Sequence, residues 1–252
     1  MKFIPLFLII SAFCFAQKFT FVYDAKYNLN IQKKDNIINN KMILDYDSNR
    51  SIFRESDGKM ADSLKLNFGE KMSKPGIENK FHIKKNLSQN NIEKIITYLG
   101  VDYLLPIDEK LNWKISSEQK NIGKYKAQKA EVKYGGRDWI AWFTTELPLN
   151  DGPYVFHGLP GLIISIQDTN ADYSFDLIEV KKGGDMFDTK TNTIKIDWKK
   201  YVTLAKSYFN DPYNFKMRTT TDVEKNNKMT KAKQELILEN NNPIELNHKI
   251  KY

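Results

Sequence analysis

The chain has almost no cysteine. Its one thiol, Cys14, lies in the first sixteen of 252 residues, inside an apolar stretch. Once that stretch is removed, no disulfide, thiolate nucleophile or cysteine metal ligand remains. Histidine is nearly as scarce. His82, His157 and His248 form no HxH, HExxH or HxxxH pair, so a zinc site would need three distant parts of the chain to converge. There is no Gly-x-Ser-x-Gly elbow, no P-loop and no dinucleotide fingerprint. The sequence implies no metal, no cofactor and no catalytic residue.

Long apolar runs are also missing. Phe3 to Phe15 is the longest, shorter than the ~20 residues of a membrane span and close to the core of a signal peptide. Lys2 supplies the positive start and Ala16 the small residue before the expected cut, which leaves Gln17 first. Lipidation at Cys14 is the alternative, but Phe13 is bulky where a lipid-modification signal wants a small residue. The expected location is the periplasm or the cell surface, with no transmembrane segment in the mature chain.

What is present is lysine and aromatic residues. The formal charge is +8, about +7 without Lys2. It is spread in pairs such as Lys181-Lys182 and Lys199-Lys200 and mixed with acidic residues. This reads as a solvated surface, or as a basic face for anionic lipid headgroups or glycans. No motif for nucleic acid occurs. The roughly 236 remaining residues suffice for one large core, and the 13 Tyr and 15 Phe favour strands.

Alternation places Phe19, Phe21, Tyr23, Ala25 and Tyr27 on one face of a strand. Lys41 to Tyr46 and Ser51 to Arg54 follow as strands around the turn Asp47-Ser48-Asn49. Gln32 to Asn40 and Lys71 to Asn79 are polar enough for loops. Phe81 to Lys85 and Trp113 to Ser116 are short strands. Residues 88–100 fit either helix or strand. The central third is clearest: Lys124 to Tyr134, a Gly135-Gly136 hairpin turn, Arg137 to Leu147, Leu162 to Gln167 and Asp172 to Lys181 make a four-stranded antiparallel meander. In its second strand Trp139, Ala141 and Phe143 oppose Ile140 and Trp142. One face covers a core, and the other needs a helix, a sheet or a ligand. Asp197 to Phe209 carries one apolar helical stripe. Asp222 to Glu239 is a second helix, and a short tail follows Asn240-Asn241-Asn242-Pro243.

These signals predict an α+β fold: a mostly antiparallel β-sheet, curved or rolled into a half-barrel, with C-terminal helices. The organisation expected is a signal peptide over 1–16, a β-rich domain over 17–210, and a helix and tail over 211–252, packed on that domain or extending from it.

Carboxylates give little chemistry. Asp138 and Glu146 share a strand face but stand eight residues, roughly 26 Å, apart, too far to act on one bond. Glu146 could meet His157 only if the intervening loop folds back. The hexapeptide Gly158-Leu159-Pro160-Gly161-Leu162-Ile163 has no titratable group. Pro160-Gly161 suits the centre of a type II turn with Gly161 at positive φ, and two glycines let a backbone or a ligand approach closely.

The hexapeptide is identical to the motif that names the GLPGLI family. Trp142-Phe143-Thr144, Glu146-Leu147-Pro148, Gly152-Pro153, Tyr125 to Ala130 and Asn242-Pro243-Ile244-Glu245 also resemble that family in order and spacing. The specific similarity covers about residues 110–180. Ala127 stands where members often carry a cysteine. The resemblance implies an exported protein of Gram-negative bacteria, with no assigned role and no catalytic residues. Two functions stay open. One is a non-enzymatic binding or accessory protein of the cell envelope. Trp139, Trp142, Gly158, Pro160 and Gly161 would contact an envelope protein, a lipid or a lipoprotein, in a half-barrel shaped like those of lipoprotein carriers. The other is an envelope hydrolase acting on peptide or glycan through carboxylate or His157 chemistry.

Overall fold

A computed structural model describes residues 18–69, 81–98, 100–213 and 222–252. The expected signal peptide, the Lys71–Asn79 loop and Leu99 lie outside them. Among the described residues, twelve strands form one sheet. They are β1 (Lys18–Tyr27), β2 (Ile38–Asp47), β3 (Arg50–Glu55), β4 (His82–Asn86), β5 (Asn91–Tyr98), β6 (Val101–Pro106), β7 (Lys114–Ile122), β8 (Tyr125–Tyr134), β9 (Arg137–Thr144), β10 (Leu162–Asp168), β11 (Tyr173–Lys182) and β12 (Ile194–Lys195). The order is β12-β6-β5-β4-β3-β2-β1-β11-β10-β9-β8-β7, antiparallel except for the short β12–β6 pair. Three helices join it: α1 (Ser56–Phe68), α2 (Trp198–Asn210) and α3 (Val223–Glu239). The fold is α+β with a mostly antiparallel sheet and C-terminal helices, as the alternation patterns predict.

The sheet is curled and open. β5 and β8 are eight places apart in the order, which in a flat sheet is roughly 38 Å. Yet Glu245 bonds Lys94 of β5 at 2.8 Å and Tyr134 of β8 at 3.0 Å. One short side chain spans both only because the sheet wraps round. The β9–β10 connection, residues 145–161, fills the inside of the curl. Its Tyr154, Phe156 and Leu159 are buried. Phe156 packs on Trp139 at 4.7 Å, and Tyr154 on Phe81 at 5.9 Å.

Turn chemistry follows the sequence. Ser48 and Asn49 both take positive φ between β2 and β3, and Gly135 and Gly136 do so between β8 and β9. Asp197 and Asp222 cap α2 and α3 by accepting from the backbone N–H groups of Lys200 and Lys225.

One expectation needs correction and one open alternative is resolved. Residues 38–40 are strand, because Ile38 pairs with Tyr27 at the end of the β1–β2 ladder. Residues 91–98 are strand, because β5 lies between β4 and β6 and its backbone is satisfied by both. Helix α1 has no counterpart in the sequence reading. Its inward side carries Asp62, which faces Arg54 (3.2 Å) in place of an apolar stripe. In the short tail after residue 240, Asn242, Ile244 and Glu245 are buried.

On the outer face of β2–β6 lies a polar layer, buried at Arg54 and partly exposed towards its edges. Arg54 is fully buried between Asp45 and Asp62, and donates to the Phe187 carbonyl oxygen. Lys84 holds Asp188, and Lys190 holds Asp102, each at 2.8 Å. These contacts clip the segment following β11 across the sheet.

Candidate functional site

The loop that fills the curl is pinned from below. Asp151 and Lys85 of β4 form an ion pair with both side chains fully buried, and Lys85 also donates to the Gly152 carbonyl oxygen at 2.6 Å. Burial pulls the Lys85 ammonium below its ordinary pKa, and Asp151 offsets part of this. Asp151 also accepts from the Gly152 N–H (2.8 Å), and its carbonyl accepts from the Ile163 N–H (3.0 Å). Tyr23 of β1 donates to the Ile163 carbonyl at 2.7 Å. The hexapeptide is therefore anchored to β1 directly and to β4 through Asp151.

Within the hexapeptide, Gly158 and Pro160 are exposed, while Leu159 and Gly161 are buried. The expected turn geometry is wrong in one respect: the residue at positive φ is Gly158 (91°), not Gly161. Gly161 is required for a different reason. A Cβ there would lie 2.6 Å from the Thr144 carbonyl carbon and closer still to its oxygen. The approach of β9 to the start of β10 leaves no room for a side chain.

The two tryptophans do not converge. Trp139 points into the core at 1% exposure, and its Nε1–H donates to the Tyr134 carbonyl oxygen at 3.0 Å. Trp142 points the other way, at 8% exposure, with the Lys120 ammonium 4.0 Å from its ring centroid. Gly158 sits apart from both, near Trp113, whose Nε1–H donates to the His157 carbonyl oxygen at 2.8 Å.

A groove of about 490 Å³ lies across β7, β8 and β9. Ile140, Glu131 and Lys133 share its outer sheet face with Lys114 and Asp138, and Thr169 closes one side. The Trp139 and Val132 side chains turn inward, so these two residues form the floor through their backbone. Its lining is mostly apolar and its rim charged. Beside it runs β7, a nine-residue edge strand paired on one side only among the described residues.

The residues weighed for hydrolysis are dispersed. Asp138 pairs with Lys133 at 3.0 Å. Glu146 accepts from the Lys126 N–H at 2.8 Å. The His157 ring faces the Val155 carbonyl oxygen (2.8 Å) and Asn90 (3.3 Å), and burial holds its pKa below the ordinary histidine value.

A second cluster escaped the sequence reading. Arg137, directly after the Gly135-Gly136 turn, pairs with Asp168 (2.7 Å) and Asp172 (3.0 Å), all three largely buried. It also donates to Asn242, Pro243 and Ile244. Glu245 meets Lys94, Tyr134 and Tyr154. Burial alone would raise the Glu245 pKa, but Lys94 and the two hydroxyls outweigh it and hold the carboxyl below its ordinary value. The sequence signal for this cluster was Asn242-Pro243-Ile244-Glu245, a motif set in a segment read as tail.

Residues 136–165, from the hairpin turn through β9 and the filling loop into β10, match a family model described as a protein of unknown function (Porph_ging). No curated protein matches the chain. Among solved structures, two crystal forms of PNGF-II are similar, with TM-scores of 0.56 and 0.55 at 18% identity. Each covers 75% of this chain, which in turn spans only about a third of PNGF-II, 33% and 32%. The likeness is one of fold.

Proposed function

We propose that the chain is an exported, non-enzymatic binding or accessory protein of the cell envelope, and that its partner-facing surface is the outer groove across β7–β9. The reading includes membership of the GLPGLI family, cleavage after Ala16 and a periplasmic or surface location. The partner class is an envelope protein, a lipid or a lipoprotein.

The groove carries the reading. A mostly apolar recess ringed by Lys114, Lys133, Glu131 and Asp138 offers dry contact area with charges at the rim, the anatomy of a recognition surface. The adjacent edge of β7 adds backbone groups, unpaired among the described residues, that an extended partner could satisfy. The hydrolase alternative has less support, because Asp138, Glu146 and His157 are each engaged locally and do not face one another.

Ile140→Asp places a charge inside the groove, on the outer sheet face, without touching the core. The mature protein carrying it should melt within a few degrees of wild type and lose capture of envelope components and binding to lipid vesicles. Unchanged capture would remove the groove from the reading. Turnover of a peptide or glycan by the purified wild-type protein would replace binding with hydrolysis.

A further inference from the structure

We propose that residues 183–193, the segment between β11 and β12, are an acid-released strap, and that His82 beneath it is the group that releases it. The device lies on the β3–β6 half of the sheet, away from the outer groove.

The strap is hinged at one end and tied at the other. Gly183 and Gly184 take φ of 78° and 112° and turn the chain out of the β11 ladder. Pairing of β12 with β6 returns it to the sheet. Between these ends the segment crosses the outer face from β3 to β6, and none of its residues is buried. Polar contacts pin it. Arg54 of β3 donates to the Phe187 carbonyl oxygen, and Thr189 donates to Asp62 of α1. Lys84 of β4 pairs with Asp188 at 2.8 Å and donates to the Lys190 carbonyl oxygen at 2.6 Å. Lys190 reaches Asp102 of β6 at 2.8 Å and Thr97 of β5 at 3.3 Å.

His82 lies under this crossing. It shares the outer face with Lys84, two residues on, and is paired with Ile95 of β5. Arg54 follows Phe53, the partner of Ile83, and so stands beside it on β3. The ring is fully buried, with no hydrogen-bond partner on either nitrogen among the described residues. Every element of the layer brings charge. Asp45 on β2 and Asp62 on α1 hold Arg54, and Asp188 and Asp102 are held by Lys84 and Lys190. Glu93 on β5 accepts from Asn91. Besides burial, the influences that keep the ring neutral are the three cations Arg54, Lys84 and Lys190.

A proton on the covered ring would make a cation with two N–H groups and no acceptor for either. Lifting the strap gives that cation to water and uncovers Arg54 and Ile95. Opening is therefore coupled to uptake of one proton. In the open form the ring titrates near its ordinary value of about 6.5. The open-to-closed ratio is then constant above that pH and rises about tenfold for each unit below it. The strap's carboxylate ties, with ordinary values near ~4, stay charged down to about pH 5. Between pH 6.5 and 5 the trigger is the ring and not the loss of an ion pair.

The test uses the full chain with Cys14→Ser and Thr191→Cys, so that one nitroxide reports from the exposed Thr191 position of the strap. Its mobile-to-immobile ratio should be level from pH 8 to 7 and rise about tenfold per unit below 6.5, while far-ultraviolet circular dichroism stays unchanged. With His82→Gln added, the ratio should not respond to pH over the same range. A strap as immobile at pH 5 as at pH 7, or one released with the same profile in His82→Gln, overturns the proposal. So does a strap freed only as circular dichroism is lost, because the whole fold has then opened. Should His82→Gln fail to fold, 13C-labelled histidine in the same protein without the nitroxide decides. The His82 ring signal must move to the imidazolium position in step with the strap's release, and release with the ring still neutral overturns the proposal.

Discussion

Gly161 lies against the Thr144 carbonyl group so closely that a Cβ would stand 2.6 Å from the carbonyl carbon. Gly158, three residues earlier, would put its Cβ no closer than 4.0 Å to a neighbour, the Trp113 Nε1, but has a φ of 91°. The two glycines of the hexapeptide are thus needed for different reasons, and their alanine variants should behave differently. Gly158→Ala should cost about 1–2 kcal/mol, the backbone strain alone. Gly161→Ala must push β9 away from β10 and should cost more than the ~3 kcal/mol that marks severe core damage. Urea midpoints of both variants decide it. Equal losses would mean that the close approach relaxes freely.

Trp139 is the structural tryptophan of the β9 strand. Trp139→Ala removes an indole packed on Phe156 and should cost roughly 3–5 kcal/mol. Trp142→Ala, on the outer face beneath Lys120, should cost less than half of that. Denaturation midpoints check the ratio, and a larger loss for Trp142 would reverse the assignment of inner and outer faces.

Lys85 and Asp151 are a buried pair, and breaking it from one side strands a charge. Lys85→Met should destabilise the protein by roughly 3–5 kcal/mol. Adding Asp151→Asn to Lys85→Met should recover part of the loss, because the amide oxygen can still accept from Gly152. A double variant that is the sum of the two single variants would show that the groups do not interact.

His82 is fully buried with no hydrogen-bond partner on either ring nitrogen. Burial pushes its pKa well below the usual histidine value, and the charges of Arg54, Lys84 and Lys190 push in the same direction. The unfolded chain therefore binds a proton at a pH where the folded chain does not. Stability contributed by the neutral ring is complete above the unfolded value of about 6.5, and falls as the pH drops below it by up to ~1.4 kcal/mol per unit. His82→Gln should lower stability at pH 7.5 but flatten its decline between pH 6.5 and 5. Parallel wild-type and variant curves across that range would exclude His82 as the source of acid sensitivity.

Much of the fold was legible because two-residue alternation and turn chemistry act locally. Phe19 to Tyr27 declared its inward face, Gly135-Gly136 its turn, and Asp197 and Asp222 their helix starts. Helix α1 was hidden because Asp62 faces Arg54, so the helix buries a charge pair and shows no apolar stripe. The candidate site was legible only in part. The hexapeptide stood out as a motif, but the reason for Gly161 depends on Thr144, seventeen positions away, and nothing local encodes that distance.

The sequence by itself determined many of the strands, their order in the central meander, the Asp47–Asn49 and Gly135-Gly136 turns and the C-terminal helices, since each follows from side chains within a few residues. Tertiary structure alone decided how far the sheet curls, that residues 145–161 fill the curl, and that Arg54, Lys85, Arg137 and Glu245 are buried. An isolated charged residue reads as surface. It goes inside only when a partner from a distant segment is brought within hydrogen-bonding distance, as Asp151 is to Lys85 and Lys94 to Glu245. Such pairing depends on three-dimensional closure, because the low dielectric of the interior makes an unpartnered charge untenable and a well-placed pair tolerable.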